Sequence, residues 1–408
     1  MKILIYTYEY PPFPGGAGVY SRDLAEGLER LGHDVHVASL YEESSNEVGR
    51  AKIHRMEPYQ QDPPWSFYFL LKLWLRYRFD VLVVSEYLAQ RNLARMVRPW
   101  FPYVVVVHGT ELLEYFGGNP VSRGATSEQM RDLYRNAAAC ITGSHATAKL
   151  ARSLLGNDGS RFIPIHYGIN LERFPIPDME QVRTLRARYG EHSEIVLCVG
   201  RLALDKGHEV LLQAFHRVHQ ARPDTHLVIV GEGPLRKKLL EQCESLGLVE
   251  CVHFPGKVPP EELSAWYAAC DVFALPSKSE SRWEGFGLVF LEANLFEKPV
   301  VGGNEGGVPE AIADGETGLV VNPRDPDAVA RAILRLLQDK SVAREMGKKG
   351  RERVWAYYTN RRMAEETLQT LEKTIPPINL SAWFQRKRNM AFWLLNYARY
   401  VTASWRNS

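Results

Sequence analysis

The chain has 408 residues, with 50 Lys and Arg against 48 Asp and Glu, for a formal charge of +2. That length suffices for two or three domains, and 45% hydrophobic with 24% charged residues excludes a disordered or fibrous chain. The near-neutral total excludes a general nucleic-acid coat, which needs a large basic excess.

The first predicted strand is at 3–6, followed by a Pro/Gly-rich loop over 10–18, a helix over 19–31 and a strand at 35–37. After Lys2 the apolar run is short and is ended by Glu9, Pro11 and Pro12, so it reads as a strand, not a secretory signal. Further strands are predicted at 81–84, 104–107 and 139–142, with helical stretches between them. The pattern then loosens into prolines and turn residues over 163–177. Alternation restarts with strands at 195–199, 226–230, 252–254, 272–275, 299–301 and 319–321.

Short β-rich runs alternating with helices imply right-handed βαβ units and parallel sheets. The expected class is α/β, with two Rossmann-like domains at 1–165 and 185–350, a linker at 166–184, and a ligand cleft between the sheets. A helix over 351–372 is expected to return to the first domain, and Pro376 and Pro377 set off a tail that starts at 373. The cysteines (Cys140, Cys198, Cys243, Cys251 and Cys270) form no CxxC pair, which fits the reduced thiols of a cytoplasmic chain. The longest uncharged, apolar-rich stretches, near 100–107 and 389–398, are about half as long as a membrane-spanning helix.

Chemistry-bearing residues cluster at predicted strand ends. EGFGLVFLE at 284–292 follows Pro276-Ser277, and its glycines let backbone amides approach a ligand at a helix start. Glu284 and Glu292, up to about 12 Å apart if the segment is helical, suit the two ends of an extended ligand better than a shared proton. GRLALDKG at 200–207 follows the first strand of the second domain. Arg201 and Lys206 thus emerge where a guanidinium and an ammonium can clamp a pyrophosphate. GEGP at 231–234, GGVPE at 306–310 and DGETG at 314–318 add Gly-rich loops to the same rim. Each piece alone reads equally as a helix-start acid, a solvated cation or a tight turn.

In the first domain, His108 of VHGTE (107–111) sits at a strand's C-terminal end. Alone, it reads either as a core-edge histidine bonded to backbone or as a cleft-facing functional group. Gly15-Gly16 reads as a turn after Pro14 or a loop crossing the cleft. Asp325-Pro326-Asp327 is formally a DxD, but it is expected to open a helix, with Asp325 as N-cap and Pro326 in the first turn. No metal site is assigned.

Taken in order, GRLxxxKG, GEGP, EGFGxxxLEA, GGVPE and DGETG resemble the retaining glycosyltransferases of family 4, which have the two-domain GT-B fold; the resemblance covers roughly 1–372. It implies that Arg201 and Lys206 hold the diphosphate of a nucleoside-diphosphate sugar and support its departure. It further implies that Glu292 bonds the ribose hydroxyls, and that Glu284 with the amides of Phe286 and Gly287 faces the transferred sugar. Backbone near Val258 would frame the base, Gly15 and Gly16 would close over the phosphate and sugar, and His108 would lie beside both. The implied reaction is hexosyl transfer from a UDP- or GDP-sugar to an acceptor hydroxyl, with the anomeric configuration retained. No cofactor or metal is expected, because Arg201, Lys206 and helix N-termini stabilise the leaving charge. The family's common Asn-Gly-Val-Asp turn is Tyr167-Gly168-Ile169-Asn170 here, so these residues receive no role. Rival readings are a sugar-nucleotide epimerase or phosphorylase on the same scaffold, and a non-catalytic scaffold that binds nucleotide sugar or membrane.

The tail changes the meaning of the net charge. Residues 373–408 hold Lys373, Arg386, Lys387, Arg388, Arg399 and Arg406 and no acid, which leaves −4 for the rest of the chain. They also carry Trp383, Phe384, Phe392, Trp393, Tyr397, Tyr400 and Trp405. Such a basic, Trp-rich segment reads either as an interfacial membrane helix or as a last helix packed across the first domain. A second aromatic and basic stretch, 65–79, reads either as another membrane-touching segment or as a core helix, and core packing is the expectation. The expected acceptor is a lipid-linked or polysaccharide precursor at the cytoplasmic face of a membrane, with no nucleic-acid partner.

Overall fold

The computed structural model describes residues 1–11, 15–40, 51–96, 101–117, 124–190, 192–280 and 282–375. The tail beyond 375, with every aromatic residue singled out there, lies outside the described residues. The chain divides into two compact units, Met1–His166 together with the chain from Asn360, and Tyr167–Thr359.

The first unit is built on a parallel sheet of β1 (Lys2–Tyr6), β2 (Asp34–Leu40), β3 (Lys52–Met56), β4 (Val81–Ser85), β5 (Tyr103–Val107), β6 (Ala139–Thr142) and β7 (Phe162–Pro164). Its spatial order is β3-β2-β1-β4-β5-β6-β7. The central strands, such as VLVVS in β4 and YVVVV in β5, are buried along their whole length. Helices cover both faces of such a sheet, so its strands read as continuous apolar runs.

The second unit repeats the plan. Its strands are β8 (Glu194–Val199), β9 (Thr225–Val230), β10 (Val252–Gly256), β11 (Val272–Leu275), β12 (Val300–Gly303) and β13 (Gly318–Val321), in the order β10-β9-β8-β11-β12-β13. In each unit the strand order reverses beside the first strand, between β1 and β4 and between β8 and β11. Loops part there at the C-terminal edge and leave room for a ligand.

Four features differ from the sequence expectation. β3 went unpredicted because Lys52, His54 and Arg55 break up the apolar run in KIHRM, as charges do on edge strands. β7 lies inside the stretch that had read as irregular, and Pro164 is tolerated because β7 is the other edge. The expected linker over 166–184 belongs from Tyr167 onward to the second unit, and Asp178 caps a helix at Met179–Ala187 by accepting from the Glu180 N–H at 3.0 Å. The expected helix over 351–372 is two helices, Lys340–Tyr357 and Asn360–Thr374. Between them Thr359 bridges Ile169, whose N–H donates to the Tyr358 carbonyl at 2.9 Å, and the chain there leaves the second unit.

The Asn360–Thr374 helix packs in the first unit against the Gly16–Arg30 helix. Gly27 permits the approach, since a Cβ there would lie 2.7 Å from the Asn360 carbonyl oxygen and 2.8 Å from the Ala364 Cβ. Asn360 also donates from Nδ2 to the Asp23 carbonyl at 3.3 Å. Gly27→Leu is therefore expected to cost about 1–3 kcal/mol of stability, because the overpacking exceeds the roughly 1 kcal/mol gained in helix propensity. Urea unfolding measures the loss, and limited proteolysis should show the last helix released first.

Each unit also carries a histidine pair at the same register. His36 on β2 lies two residues before Ala38, the partner of His54 on β3, with His36 Nδ1 2.8 Å from His54 Nε2. His226 on β9 lies two residues before Val228, the partner of His253 on β10, with the corresponding nitrogens 3.0 Å apart. A tyrosine ring packs on each pair, Tyr77 at 4.4 Å from His36 and Tyr189 at 4.7 Å from His253. Within each pair one ring nitrogen must donate and the other accept, so two charged rings are incompatible with the bond.

Burial, followed by the charge of His36, pushes His54 down to about 4, and burial likewise lowers His36, His226 and His253. A histidine whose folded pKa lies below its unfolded value stabilises fully above about pH 6.5, and loses that contribution as pH falls through the folded value. Stability is expected to decline between pH 6.5 and about 4, with a shallower decline in His54→Gln, as read from thermal melts across pH.

Candidate functional site

On the second unit the rim is built at the C-terminal ends of β8 and β11. The chain leaves β8 at Val199, and a single 3-10 turn at Leu204–Lys206 carries Lys206. Lys206 Nζ donates to Glu284 Oε2 at 2.6 Å and lies 3.7 Å from Asp205 Oδ2. Arg201 Nη2 is 3.9 Å from Asp205 Oδ1. Two cations and two carboxylates thus form one cluster, in which the Arg201 side chain is 48% exposed and that of Glu284 12%. Burial pushes the Lys206 ammonium toward neutrality, but Glu284, and behind it Asp205, more than offset this and hold its pKa above the ordinary lysine value. Lys206 is therefore a fixed cation throughout the neutral range.

Glu284 is fixed from its backbone. Its N–H donates to Ser279 Oγ at 3.3 Å and its carbonyl accepts from the Gly307 N–H at 2.9 Å. Gly306, at φ +60°, lies directly against that carbonyl, where a Cβ would fall inside van der Waals contact. The GGVPE loop is glycine-rich here to pack against the Glu284 backbone. The following helix, Leu288–Leu295, starts after Gly287 at φ +93°. Only part of the 284–292 segment is therefore helical. Glu292 is buried and accepts from the Tyr267 hydroxyl at 2.6 Å. Burial and the Glu292 charge push the Tyr267 phenol well above its ordinary pKa, so it remains a proton donor to that carboxylate.

The Phe286 side chain is buried between Tyr167 and Tyr358, with ring centroids at 5.9 and 5.6 Å, and so anchors the EGFG loop in the core of the second unit. Val258 is half-buried on the loop between β10 and the Pro260–Ala269 helix. Asp325 does cap a helix, Pro326–Gln338, by accepting from the Asp327 N–H at 2.9 Å, while Asp327 pairs with Arg217 at 2.6 Å. The formal DxD is a helix start.

Sequence reasoning missed several supports. His208 Nε2 faces the Arg201 carbonyl at 3.0 Å. A carbonyl only accepts, so Nε2 carries the proton and Nδ1 faces the Cys198 thiol at 3.6 Å. This pins the loop that bears Arg201. Asp205 and His208 flank Lys206 in sequence and could have been weighed with it; Tyr267 and Ser279 lie in stretches without any motif. Tyr167, which the sequence left without a role, supports Phe286.

On the first unit, the end of β5 presents His108. Its backbone N–H and that of Gly109 donate to the two oxygens of Glu111 at 2.8 and 3.0 Å. Gln90 Nε2 also donates to Glu111, at 3.0 Å, and Tyr134 in turn donates to Gln90 Oε1. Burial pushes His108 down to about 4, so its imidazole is neutral near pH 7, with the Tyr20 ring packed edge-on at 5.5 Å. Gly15 is the N-cap of the Gly16–Arg30 helix and Gly16 its first residue, so helix begins three residues earlier than the sequence pattern suggested. A Cβ at Gly15 would meet the Glu9 carboxylate, whereas Gly16 has nothing within 4 Å of that position.

The second unit thus presents a guanidinium, an ammonium and a helix start at the C-terminal edge of a parallel sheet, an arrangement suited to a polyanionic ligand. The family model for glycosyl transferases group 1 matches residues 183–353, and that for glycosyltransferase family 4 matches residues 14–173. Among curated relatives, a GDP-mannose-dependent alpha-(1-6)-phosphatidylinositol monomannoside mannosyltransferase of Mycolicibacterium smegmatis is 40% identical over 193 residues, 46% of this chain and 50% of that protein. The chain therefore spans about half the length of that relative. An uncharacterized glycosyltransferase of Methanocaldococcus jannaschii is 29% identical over 90% of this chain and 97% of its own length. Among solved structures, the sucrose-phosphate synthase of Thermosynechococcus elongatus aligns with a TM-score of 0.77 at 24% identity, covering 91% of this chain and 98% of that one. Anabaena HepE in complex with UDP and glucose aligns with a TM-score of 0.73 at 20% identity, covering 91% and 100%. With both units matched in chain order and the two parallel sheets in place, the chain belongs to the family 4 glycosyltransferases and has the GT-B fold.

Proposed function

We propose that the chain transfers a hexosyl group from a UDP- or GDP-sugar to an acceptor hydroxyl, with retention of anomeric configuration and without a metal ion. The observation that carries this reading is the Arg201–Asp205–Lys206–Glu284 cluster, which offers two cations to a diphosphate beside a carboxylate for the sugar. In the reaction the bond between the anomeric carbon and the diphosphate oxygen breaks, and its electron pair leaves on the diphosphate. The acceptor oxygen bonds to that carbon, and its proton passes to the departing phosphate oxygen. Arg201 and Lys206 stabilise the charge that develops there, the role a divalent ion would otherwise fill. Glu292, buried and oriented by Tyr267, is assigned to the ribose hydroxyls, the Phe286 and Gly287 amides to the sugar, and backbone near Val258 to the base. His108, neutral and held by Glu111 through its backbone, is assigned polar contact with the sugar.

The nucleotides in the names of relatives, GDP-mannose in one and UDP in another, support both donor classes. The acceptor is proposed to be lipid-linked or a glycan at the cytoplasmic face of a membrane; the phosphatidylinositol monomannoside in the first name supports a lipid-linked acceptor, and the basic, aromatic tail supports membrane contact. Among the described residues no helix is long and apolar enough to cross a membrane.

The test is a panel of UDP- and GDP-sugars assayed for nucleotide release with and without EDTA. Turnover of at least one donor, unchanged by EDTA, is expected. If no donor binds or turns over, the transferase reading fails. Loss in EDTA that Mg²⁺ or Mn²⁺ restores would overturn the metal-free part.

A further inference from the structure

The Trp65–Tyr77 helix of the first unit has two apolar faces, only one of which the described residues cover. Its inner side buries Phe67, Leu70, Leu71, Leu73 and Trp74 in the core, as the sequence predicted. Its outer side carries Trp65, Tyr68 and Leu75, exposed by 51%, 51% and 57%, with Lys72 and Arg76 also exposed. At 100° per residue these five positions fall within a sector of about 100°, along a strip roughly 16 Å long. Tyr59, 65% exposed, extends the strip by packing edge-on against Trp65 at 6.5 Å. A helix face turned to water normally carries charged and polar groups. This one carries rings, a leucine and cations.

Charge selects the occupant. Between 63 and 79 the chain has Lys72, Arg76 and Arg78 and no acid. The acid just ahead, Asp62, faces Arg91 and Arg95 at 3.8 and 3.6 Å. The chain's own tail is a poor cover, since 376–408 holds five cations and no acid and would repel the strip. Aromatic rings belong at the boundary between headgroups and acyl chains, and Lys and Arg stems lie along apolar surface while their charges reach phosphates.

We propose that the outer strip of the Trp65–Tyr77 helix docks the first unit on an anionic lipid surface. Trp65, Tyr68 and Leu75 enter the interface, and Lys72, Arg76 and Arg78 meet headgroup phosphates. This rests on the membrane-side reading of the acceptor and adds a second contact, separate from the tail.

The described chain suits a site-specific test, because all five cysteines are buried. Tyr68→Cys in the full-length protein can therefore be labelled selectively with an environment-sensitive fluorophore. Vesicles of phosphatidylcholine with phosphatidylglycerol should raise its emission several-fold and shift it to the blue, and phosphatidylcholine alone should do neither. Added salt should reverse the change, and the background substitutions Lys72→Glu and Arg76→Glu should reduce it at least tenfold at fixed lipid. If the protein sediments with anionic vesicles and the probe does not respond, the tail alone binds and the proposal is wrong. A probe response without vesicles that grows with protein concentration would mean self-association and would equally overturn it. The donor assay is independent: loss of nucleotide release with an intact probe response would refute the transfer reading and leave this one standing.

Discussion

Lys206→Ala is expected to lower kcat/KM for nucleotide-sugar turnover by about 10²–10³-fold, the usual cost of removing one preorganised charge from a developing anion. Lys206 is charged at every pH near neutrality, so the deficit should not be recovered by changing pH between 6 and 9. The substitution also leaves Glu284 without its 2.6 Å partner. Because the Lys206 side chain is 22% exposed, that loss should cost no more than about 2 kcal/mol of stability, between the values for surface and for buried pairs. Lys206→Met, which keeps the stem and removes the charge, should show the same kinetic loss. Lys206→Arg keeps the charge with a different fork and should recover only part of it. Calorimetric titration with UDP and GDP separates binding from turnover. A decrease below threefold in Lys206→Met would remove this residue from the proposed chemistry.

The second large effect is structural and lies on the first unit. Glu111→Ala is expected to destabilise the protein by about 3–5 kcal/mol, because one buried carboxylate serves three donors. It accepts from the His108 and Gly109 backbone N–H groups and from Gln90, and is 1% exposed. Alanine leaves all three donors without this acceptor; Gln90 keeps its 2.7 Å bond to the Val106 carbonyl and its bond from Tyr134, so the two backbone N–H groups carry most of the loss. Burial raises the Glu111 carboxyl above its ordinary pKa in spite of these bonds. A raised carboxyl costs stability as pH climbs through its folded value, so Glu111→Gln should lose less than Glu111→Ala and should flatten that part of the pH profile. Urea titrations at several pH values measure both. If Glu111→Ala unfolds at the same urea concentration as the parent chain, the His108 loop is held by something else.

The α/β class, the central strands and the charged residues that cluster at the end of β8 were legible because each leaves a local signal. Strands buried on both faces read as Val and Ile runs, and a motif such as GRLALDKG places Arg201 and Lys206 within a few residues of a strand end. The edge strands β3 and β7 were not legible, since half-exposed strands carry cations and prolines that imitate loops. The break at Tyr358–Thr359 was hidden for another reason. Residues 340–374 keep a helical composition throughout, and only the bridge from Thr359 to Ile169, nearly 200 positions away, ends the first helix. On the 65–79 stretch the sequence identified the core side and could not separate it from the outer side, because both are aromatic and apolar.

By itself, then, the sequence determined which residues bear charge at which strand ends, and hence the family. Only the tertiary structure decided how those charges are held. The Lys206–Glu284 bond joins residues 78 apart, Tyr267 reaches Glu292 from 25 away, and Gly306 fits against a carbonyl 22 residues before it. The physical reason is that local sequence fixes the direction and chemistry of a side chain, whereas its partner, its burial and therefore its pKa are set by whatever the fold packs against it.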